Sequence, residues 1–196
     1  MLTFSATAQN YEFVDKDGNT VADGTTVIRN EAEDDGFGGI LLHSGLAVKN
    51  VGAPANYQVR IHNTITQIDN GSMQVCFPQY CHNYTTTGSN KSEEAKLNTD
   101  EVKDIQSEWL PTAYGECIVT YQAMALQPMG NLFVEKGGPK VTVHYVYADP
   151  TGVSAVRNVE QKSDIYTLDG RRHSRLTKGV SIVRMTDGTV RKVLSK

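Results

Sequence analysis

The chain has 196 residues, of which 39% are hydrophobic and 21% charged, and its formal net charge at pH 7 is −3. This composition favours one or two globular domains built from short strands and many loops, rather than from long helices. No run of eighteen apolar residues occurs, so the sequence predicts no transmembrane segment.

The first ten residues, MLTFSATAQN, resemble the end of a secretory signal peptide. An apolar stretch is followed by the small residues Ala6 and Ala8 in an A-x-A pattern. We therefore interpret residues 1–9 as a signal-peptide remnant and expect an exported protein. An ordinary N-terminus that carries this pattern by coincidence is the alternative.

Residues 9–29 predict a β-hairpin, with YEFV as its first strand, DKDGNT as its turn and VADGTTVIR as its returning strand. The DKDGN segment lacks the later acidic ligands of an EF-hand loop, which favours a plain turn. The next segment, 30–39, is acidic and rich in glycine. Its four carboxylates could together hold a hard cation such as calcium, although a solvated loop is the more common outcome. The four residues are Glu31, Glu33, Asp34 and Asp35.

Residues 40–51, 56–68 and 73–77 alternate between apolar and polar positions, as half-buried strands do. A tight-turn signal, Asp-Asn-Gly-Ser, separates the last two of these strands. We therefore predict an antiparallel meander over 40–77. The polar segment 82–107 is predicted to be a long excursion with little to bury and a short helical turn near Asn98.

Strands are predicted again at 116–126 and 140–148. In the second of these, one face of the strand carries Val141, Val143, Tyr145 and Tyr147. About eight strands at a spacing of roughly ten residues are typical of a sandwich. We therefore predict that 10–148 forms an all-β, antiparallel β-sandwich of the immunoglobulin or jelly-roll kind.

The remainder of the chain predicts a linker at 149–162 and a small three-stranded β module at 163–196. A sheet of this size buries too little to be stable alone, so we expect it to pack on another surface.

Residues 171–196 carry eight Lys/Arg and one acid, whereas 1–170 carry eleven Lys/Arg and twenty-one acids. Such asymmetry occurs in nucleic-acid or membrane-surface tails, but a solvated basic sheet edge is more common. Tyr166 is the only aromatic residue of the module, so a nucleic-acid partner is not expected.

Three cysteines are present, Cys76, Cys81 and Cys117. In an oxidising compartment Cys76 and Cys81 are expected to form a local disulfide at a hairpin tip, leaving Cys117 as a small buried residue. A Cys76–Cys117 disulfide between strands is the alternative. A zinc site would need a further pair of ligands, so we predict no metal and no cofactor.

The segment IYTLDGRRHSRLTKGVSIVRMTDGTVRKVLSK resembles the C-terminal sorting domain of proteins exported by the type IX (Por) secretion system of Gram-negative anaerobes. Tails of that family combine an Ile-Tyr-x-Leu strand, a Gly-Arg turn, a Lys-Gly strand and a final basic strand. Ser181 stands where the family usually has tyrosine, and this module is shorter than a full sorting domain. The matching positions are Ile165, Tyr166, Leu168, Gly170, Arg171, Lys178, Gly179, Val180, Ile182, Val183, Lys192 and Lys196.

This resemblance implies a location rather than a chemistry. It implies a protein that crosses the periplasm of a Gram-negative bacterium and is secreted or displayed on the outer cell surface, with export machinery as the partner of the module. Body segments such as QIDNGSMQVCFPQYC and SEWLPTAYGECIVTYQ are similar to those of small secreted β-sandwich proteins with such tails. A purely structural C-terminal sheet is the alternative.

No nucleophile elbow, metalloprotease, Walker or dinucleotide-binding motif is present, so we predict no catalytic residue. Cys117 with His82 or His144 could form a thiol–base pair, but its apolar neighbours favour a core thiol. Glu108 beside Trp109 is the best candidate for a sugar-facing pair, although a buried tryptophan with a glutamate at the rim is more common.

The first functional hypothesis is therefore a secreted or cell-surface binding or structural module for a glycan or a surface protein. The second is a secreted hydrolase acting on a glycan or a peptide, and the third is an inhibitor or accessory domain. Two carboxylates or a Cys–His pair in a cleft would favour the hydrolase. Exposed aromatic rings or a free edge strand would favour the binding module.

Overall fold

A computed structural model of the chain describes residues 10–149, 164–167, 169–173, 178–184 and 190–195. The chain divides into two compact units, Met1–Ala148 and Asp149–Lys196. All regular secondary structure in the described residues is β-strand, which confirms the predicted all-β class. Within the described residues, no helix is long and apolar enough to cross a membrane.

The first unit contains thirteen strands in its described part. They are β1 (Tyr11–Asp15), β2 (Thr20–Val21), β3 (Thr25–Arg29), β4 (Glu33–Asp34), β5 (Ile40–His43), β6 (Leu46–Asn50), β7 (Gln58–Ile68), β8 (Ser72–Cys76), β9 (Cys81–Tyr84), β10 (Gly88–Ala95), β11 (Val102–Leu110), β12 (Gly115–Met129) and β13 (Leu132–Tyr147).

One sheet has the order β2-β1-β6-β11-β5-β4, with β8 paired to β11 and β9 paired to β8. The strands β5 and β6 follow each other along one edge of β11 in the same register, with His43 opposite Glu108 and Lys49 opposite Val102. The opposite edge of β11 pairs with β8. The line of β5 and β6 is broken only at Ser44 and Gly45, and this break shapes the cleft described below.

The second sheet has the order β10-β7-β12-β13-β3. Its pairings are antiparallel except that β3 runs parallel to β13. One cluster of buried side chains draws on both sheets, which confirms the β-sandwich. Its largest members are Trp109, Tyr11, Tyr121, Tyr145, Phe13 and Phe77.

The alternation predicted for the last strand of the sandwich is confirmed in β13. Val141, Val143 and Tyr145 are fully buried, and Tyr147 is half-buried against the same core. The residues between them are only partly buried, because successive side chains of a strand point to opposite faces. The strand therefore covers the core with one face and presents the other to solvent.

The predicted meander over 40–77 is wrong. The strand β7 lies in the second sheet, paired with β10 and β12, whereas β5, β6 and β8 lie in the first sheet. The strands β7 and β8 bury mainly one face, as their alternation indicated, whereas β6 buries four of its five residues. Alternation reports which face is buried but not which strand is the neighbour, so it is compatible with both arrangements.

The predicted hairpin at 9–29 is correct only for its first part. Phe13 pairs with Val21 and Val14 with Thr20, so β1 and β2 form a short hairpin. The second Asp-Gly turn then leads the chain into the other sheet. There Asp23 accepts a hydrogen bond from the backbone N–H of Lys140, and β3 pairs with β13.

The polar segment 82–107 was predicted to be a long excursion, which is wrong because the segment forms strands, although it buries few residues, as expected. It contains most of β9, all of β10 and part of β11. The strand β10 is an edge strand that buries Ser92 and Ala95 and exposes most of its other residues, which explains its polar sequence. The expected helical turn is a tight turn in which the Glu101 carboxylate accepts from the backbone and side chain of Asn98.

The second unit forms a sheet of four strands in its described residues, with the order β15-β14-β16-β17 and antiparallel pairing throughout. They are β14 (Asp164–Thr167), β15 (Arg172–His173), β16 (Gly179–Arg184) and β17 (Val190–Ser195). The prediction of three strands missed β15, a two-residue strand that returns beside β14 after a turn at Gly170. The predicted signal-peptide remnant at 1–9 and all of the predicted linker except Asp149 lie outside the described residues.

Candidate functional site

The predicted disulfide between Cys76 and Cys81 is confirmed. It joins the paired ends of β8 and β9, where the two cysteines lie opposite each other in the ladder. The short connection between them contains a cis peptide bond before Pro78 and exposes the ring of Tyr80. Cys117 is left free and fully buried, so the alternative pairing with Cys76 does not occur.

Burial raises the pKa of the Cys117 thiol to about 12, since a thiolate would lose its hydration inside the core. The folded protein is therefore expected to be inert toward a thiol reagent such as Ellman's reagent, and one thiol per chain should react after unfolding in guanidinium chloride. The thiolate is the reactive species, so both its pKa and its burial protect it. Rapid reaction of the folded protein would contradict the buried placement of Cys117.

The largest group of neighbouring exposed apolar side chains in the described part of the sandwich is the end of the β12–β13 hairpin, residues 127–134, which we call the hairpin tip. Met129 is 63%, Leu132 74%, Phe133 48% and Val134 45% exposed. Gly130 begins the two-residue turn with a positive φ of 63°, a position that glycine adopts without strain. Large apolar side chains are therefore grouped on an ordered hairpin outside the core.

The hairpin tip extends past the neighbouring strand. The pairing of β12 with β7 ends at Leu126 and Gln58. Beyond this point Gln127 pairs with Val134, Pro128 with Phe133 and Met129 with Leu132. At about 3.3 Å per residue, these three pairs carry the tip about 10 Å past the last pairing with β7.

A network of ion pairs braces the base of this hairpin. The Glu135 carboxylate accepts hydrogen bonds from Arg60 Nη1 at 2.8 Å and from Lys91 Nζ at 3.2 Å. Arg60 also donates to Glu94 Oε2 at 2.6 Å, and His62 Nε2 lies 3.2 Å from Glu135 Oε2. The network ties β13 to β7 and β10, and it fixes the direction in which the hairpin leaves the sandwich.

Partial burial raises the pKa of Glu135, but the hydrogen bonds from Lys91 and Arg60 outweigh it and hold the pKa below its usual value. A carboxyl with a depressed pKa stabilises the fold above its unfolded pKa of about 4.3, and this contribution is lost as the pH falls through the folded value. The difference in unfolding free energy between wild type and Glu135→Gln should therefore be larger at neutral pH than at pH values below about 4.

Urea titrations across this pH range would measure the effect. The matched control is Glu93→Gln on β10, since Glu93 is exposed and makes no ion pair within the described residues. An equal pH dependence of the two variants would contradict a stabilising role for the Glu135 network.

A second candidate site is the hollow at the break between β5 and β6, which we call the acidic cleft. Gly45 has a positive φ of 61° at this break, and Arg29 Nε donates to the Ser44 carbonyl at 2.7 Å. The cleft has a volume of about 310 Å³ and adjoins a more open hollow of about 700 Å³. The residues that line these two hollows include two cationic ones, Lys16 and Arg29, and six acidic ones. The acidic residues are Asp15, Asp17, Glu31, Glu33, Asp104 and Glu108.

His43 lies between two of these carboxylates. Its Nδ1 is 3.3 Å from Glu108 Oε1, and its Nε2 is 3.8 Å from Glu33 Oε2. An imidazole flanked by two carboxylates is a group of the kind used in general acid–base catalysis, and the carboxylates also suit a cationic ligand. The acidic cleft therefore contains two carboxylates close together, which is the feature expected of the hydrolase hypothesis.

The structure separates the residue pairs that the sequence offered for catalysis. Trp109 is fully buried and donates from Nε1 to the Asn70 carbonyl at 3.0 Å, whereas Glu108 points to the opposite face of β11, toward the cleft. Cys117 lies opposite Tyr145 in the core, and the adjacent His144 is on the other face of β13, 3.1 Å from Glu116. His82, the other base considered for Cys117, is exposed on β9 in the first sheet, whereas Cys117 is buried on β12 in the second sheet. None of these pairs forms a site.

The two segments considered for cation binding use their carboxylates locally. Asp15 accepts from the backbone N–H groups of Asp17 and Asn19, which is the geometry of a plain turn. Asp35 likewise accepts from the N–H groups of Phe37 and Gly39. Within the described residues, no three His, Cys, Asp or Glu side chains are grouped as metal ligands.

The described residues of the sorting-like motif lie together in the C-terminal sheet. Tyr166 pairs with Ile182, which in turn pairs with Lys192, and Ile165 pairs with Val183. In the remaining described positions, Gly170 and Arg171 form the turn after β14, and Lys178, Gly179 and Val180 lead into β16. Leu168 and Lys196 lie outside the described residues.

The comparisons with known proteins assign this chain to no family. No model of a known protein family matches this chain, and no curated protein is similar to it. A solved structure described as the N-terminal domain of PorA has a TM-score of 0.48 and 13% identity, covering 70% of this chain and 96% of that one. The ASH/PapD-like domain 7 of human CEP192 has a TM-score of 0.38 and 12% identity, covering 76% and 94%. Both TM-scores are below 0.5, so the fold assignment rests on the strands themselves.

Sequence reasoning missed both the hairpin tip and the acidic cleft. The tip did carry a signal, because Leu132, Phe133 and Val134 are consecutive apolar residues. A strand that is apolar on both faces must be either fully buried or exposed on one face. For the cleft, the sequence did single out Glu31, Glu33 and Glu108, but no local pattern joins them to His43, since these residues come from segments distant in sequence.

Proposed function

We propose that this chain is an exported binding protein of a Gram-negative bacterium. Its sandwich contacts a partner surface through the hairpin tip, and its C-terminal module directs export or attachment. The observation that carries the binding function is the set of exposed apolar side chains at Met129, Leu132, Phe133 and Val134. Large apolar side chains gathered on a surface commonly mark an interaction site.

The hairpin tip contributes little to the stability of the sandwich. Its side chains do not belong to the buried cluster, and its three terminal residue pairs extend past β7. Exposed apolar surface costs roughly 25 cal/mol per Å² relative to burial, so a partner that covers the tip gains this free energy. A contact role accounts for the apolar residues, whereas a packing role within the sandwich does not.

Three features support export. The disulfide between Cys76 and Cys81 is typical of oxidising compartments. The first ten residues have the pattern of a signal-peptide end, and the C-terminal module has the motif residues of a type IX sorting domain. Those of the motif residues that the structure describes lie in or beside one sheet of paired strands, which export machinery could recognise.

The test is expression in a Gram-negative bacterium that has a type IX system, with and without residues 163–196. We expect the full-length protein outside the cell and the truncated form in the periplasm, and the intact mass of the exported protein should show trimming at its ends. Equal distribution of both forms, with the module retained, would overturn the export role of the module. The variant Leu132→Glu should be exported normally but should lose association with its partner surface, which separates the two roles.

A second candidate function is a secreted hydrolase acting on a glycan or a peptide. The observation that favours it is His43 between Glu33 and Glu108 in the acidic cleft. Fluorogenic glycoside and peptide substrates would test it. Activity that falls at least a hundredfold in Glu108→Gln but not in the control Glu93→Gln would establish a catalytic cleft. Activity equal in both variants would exclude this cleft as its source.

A further inference from the structure

The hairpin tip is apolar on both of its faces. Leu132 and Met129 lie opposite each other on one face, and Phe133 and Pro128 lie opposite each other on the other face. A flat protein surface could cover only one of these faces. The tip therefore fits an environment that surrounds it, either a deep socket or a lipid bilayer.

The size of the tip argues against a second copy of the chain as its partner. Four partly exposed side chains offer on the order of 400 Å² of apolar area, which is the size of a functional surface patch. Each partner of a standard stable interface contributes about 800 Å². A contact between two tips would thus fall well short of a stable dimer, whereas insertion into a fluid bilayer needs no matching surface.

The charges at the tip are arranged as in an interfacial anchor. Residues 127–134 contain no charged residue, and the first charges on β13 are Glu135 and the exposed Lys136. Arg60 and Lys91 neutralise Glu135 at the hairpin base. Arg60 also pairs with Glu94, so the exposed Lys136 is the cationic side chain of β13 at this base that no ion pair within the described residues engages. Basic residues beside an apolar insert extend toward phosphate headgroups.

We propose that the hairpin tip inserts into the interfacial region of a lipid bilayer, with the exposed Lys136 at its base extending toward the headgroups. The three terminal pairs reach about 10 Å past the last pairing with β7, which matches the roughly 5–10 Å depth at which interfacial anchors lie. This inference deepens the proposed function, since it names the surface that the tip contacts and rests on the tip being the contact element.

The experiment uses the full chain carrying Phe133→Trp. Trp109, the only native tryptophan, is fully buried and pairs with Asn70, so the new indole reports on the tip. Vesicles are made of phosphatidylcholine, alone or mixed with phosphatidylglycerol. We expect a blue shift of the added emission and its quenching by lipids brominated on the upper acyl chain. Wild-type protein supplies the background emission.

Leu132→Glu in this background should reduce vesicle binding at least about tenfold, because a carboxylate enters the apolar region only at high cost. The matched control is Ile28→Glu, which replaces an apolar residue of similar exposure, 63%, on β3. Unchanged emission with every vesicle composition would overturn the lipid inference. An equal loss of vesicle binding in the control variant would also overturn the lipid inference, since this result would show general charge repulsion from the vesicles.

Sedimentation velocity of the same proteins separates this inference from the proposed function. If vesicles do not bind but Leu132→Glu abolishes a dimer, the lipid inference is overturned and the contact role of the tip remains. If Leu132→Glu alters neither vesicle binding, nor self-association, nor retention at the cell surface, both the lipid inference and the proposed contact role of the tip are overturned.

Discussion

Gly71→Ala is expected to be the most destabilising single substitution in the sandwich. Gly71 has a φ of +71°, and a Cβ atom at this position would lie 2.0 Å from the Leu110 carbonyl oxygen and 2.8 Å from Pro111 Cα. Both of these atoms belong to the backbone, so no side chain can rotate away. The left-handed conformation alone costs about 1–2 kcal/mol, and we expect a total loss of about 4 kcal/mol or more.

The position of Gly71 explains why the fold cannot adjust. It lies in the turn where the chain leaves β7 in one sheet and enters β8 in the other. The side-chain amide oxygen of Asn70 accepts hydrogen bonds from the N–H groups of Thr112 and Ala113, which holds this turn against the end of β11. A displacement large enough to admit a methyl group would break these bonds and separate β8 from its partner.

Gly18→Ala is the matched control for this prediction. Gly18 also has a positive φ, of 82°, but a Cβ atom there would meet nothing within 4 Å. Only the conformational cost of about 1–2 kcal/mol applies at this turn. Urea unfolding of the two variants would measure the difference. Similar losses at both positions would contradict the close approach of Leu110 to Gly71.

Trp109→Ala is expected to lower the free energy of unfolding by about 3–5 kcal/mol. Trp109 is the largest fully buried side chain, it belongs to the core cluster shared by both sheets, and its indole N–H donates to the Asn70 carbonyl. The substitution leaves a large cavity in the core and an acceptor without its partner. Circular dichroism is the suitable probe, because the substitution also removes the only tryptophan fluorophore.

Trp109→Phe separates the two contributions. It keeps most of the buried apolar area and removes the hydrogen bond to Asn70, so the expected loss is about 1–3 kcal/mol. A loss for Trp109→Ala no greater than that for Trp109→Phe would contradict the placement of this side chain at the centre of the core.

The burial of individual strands was predictable from local alternation. The core face of β13 and the long strand beginning near Cys117 follow directly from the positions of their apolar residues. The disulfide between Cys76 and Cys81 was predictable as well, because a short connection around a proline keeps the two thiols close together. Such features depend on neighbours in the sequence, and a single chain carries that information.

Strand order was not predictable in the same way. The chain crosses between sheets at Asp23-Gly24 and again at Gly71, and the turn residues at these crossings look the same as those of hairpins. A β-strand buries one face whichever strands lie beside it, so its sequence does not specify its neighbours. The polar sequence of β10 similarly concealed a strand, since an edge strand needs few apolar residues.

The candidate sites depend on contacts that no local pattern encodes. His43 meets Glu33 and Glu108 only because β5 pairs with β4 on one edge and with β11 on the other. The hairpin tip is exposed only because β7 begins at Gln58, so that its pairing with β12 stops at Leu126. Local sequence thus determined the faces, turns and disulfide of this protein through short-range geometry. Its clefts and exposed surfaces were decided by long-range pairing, which exists only once the sheets have assembled.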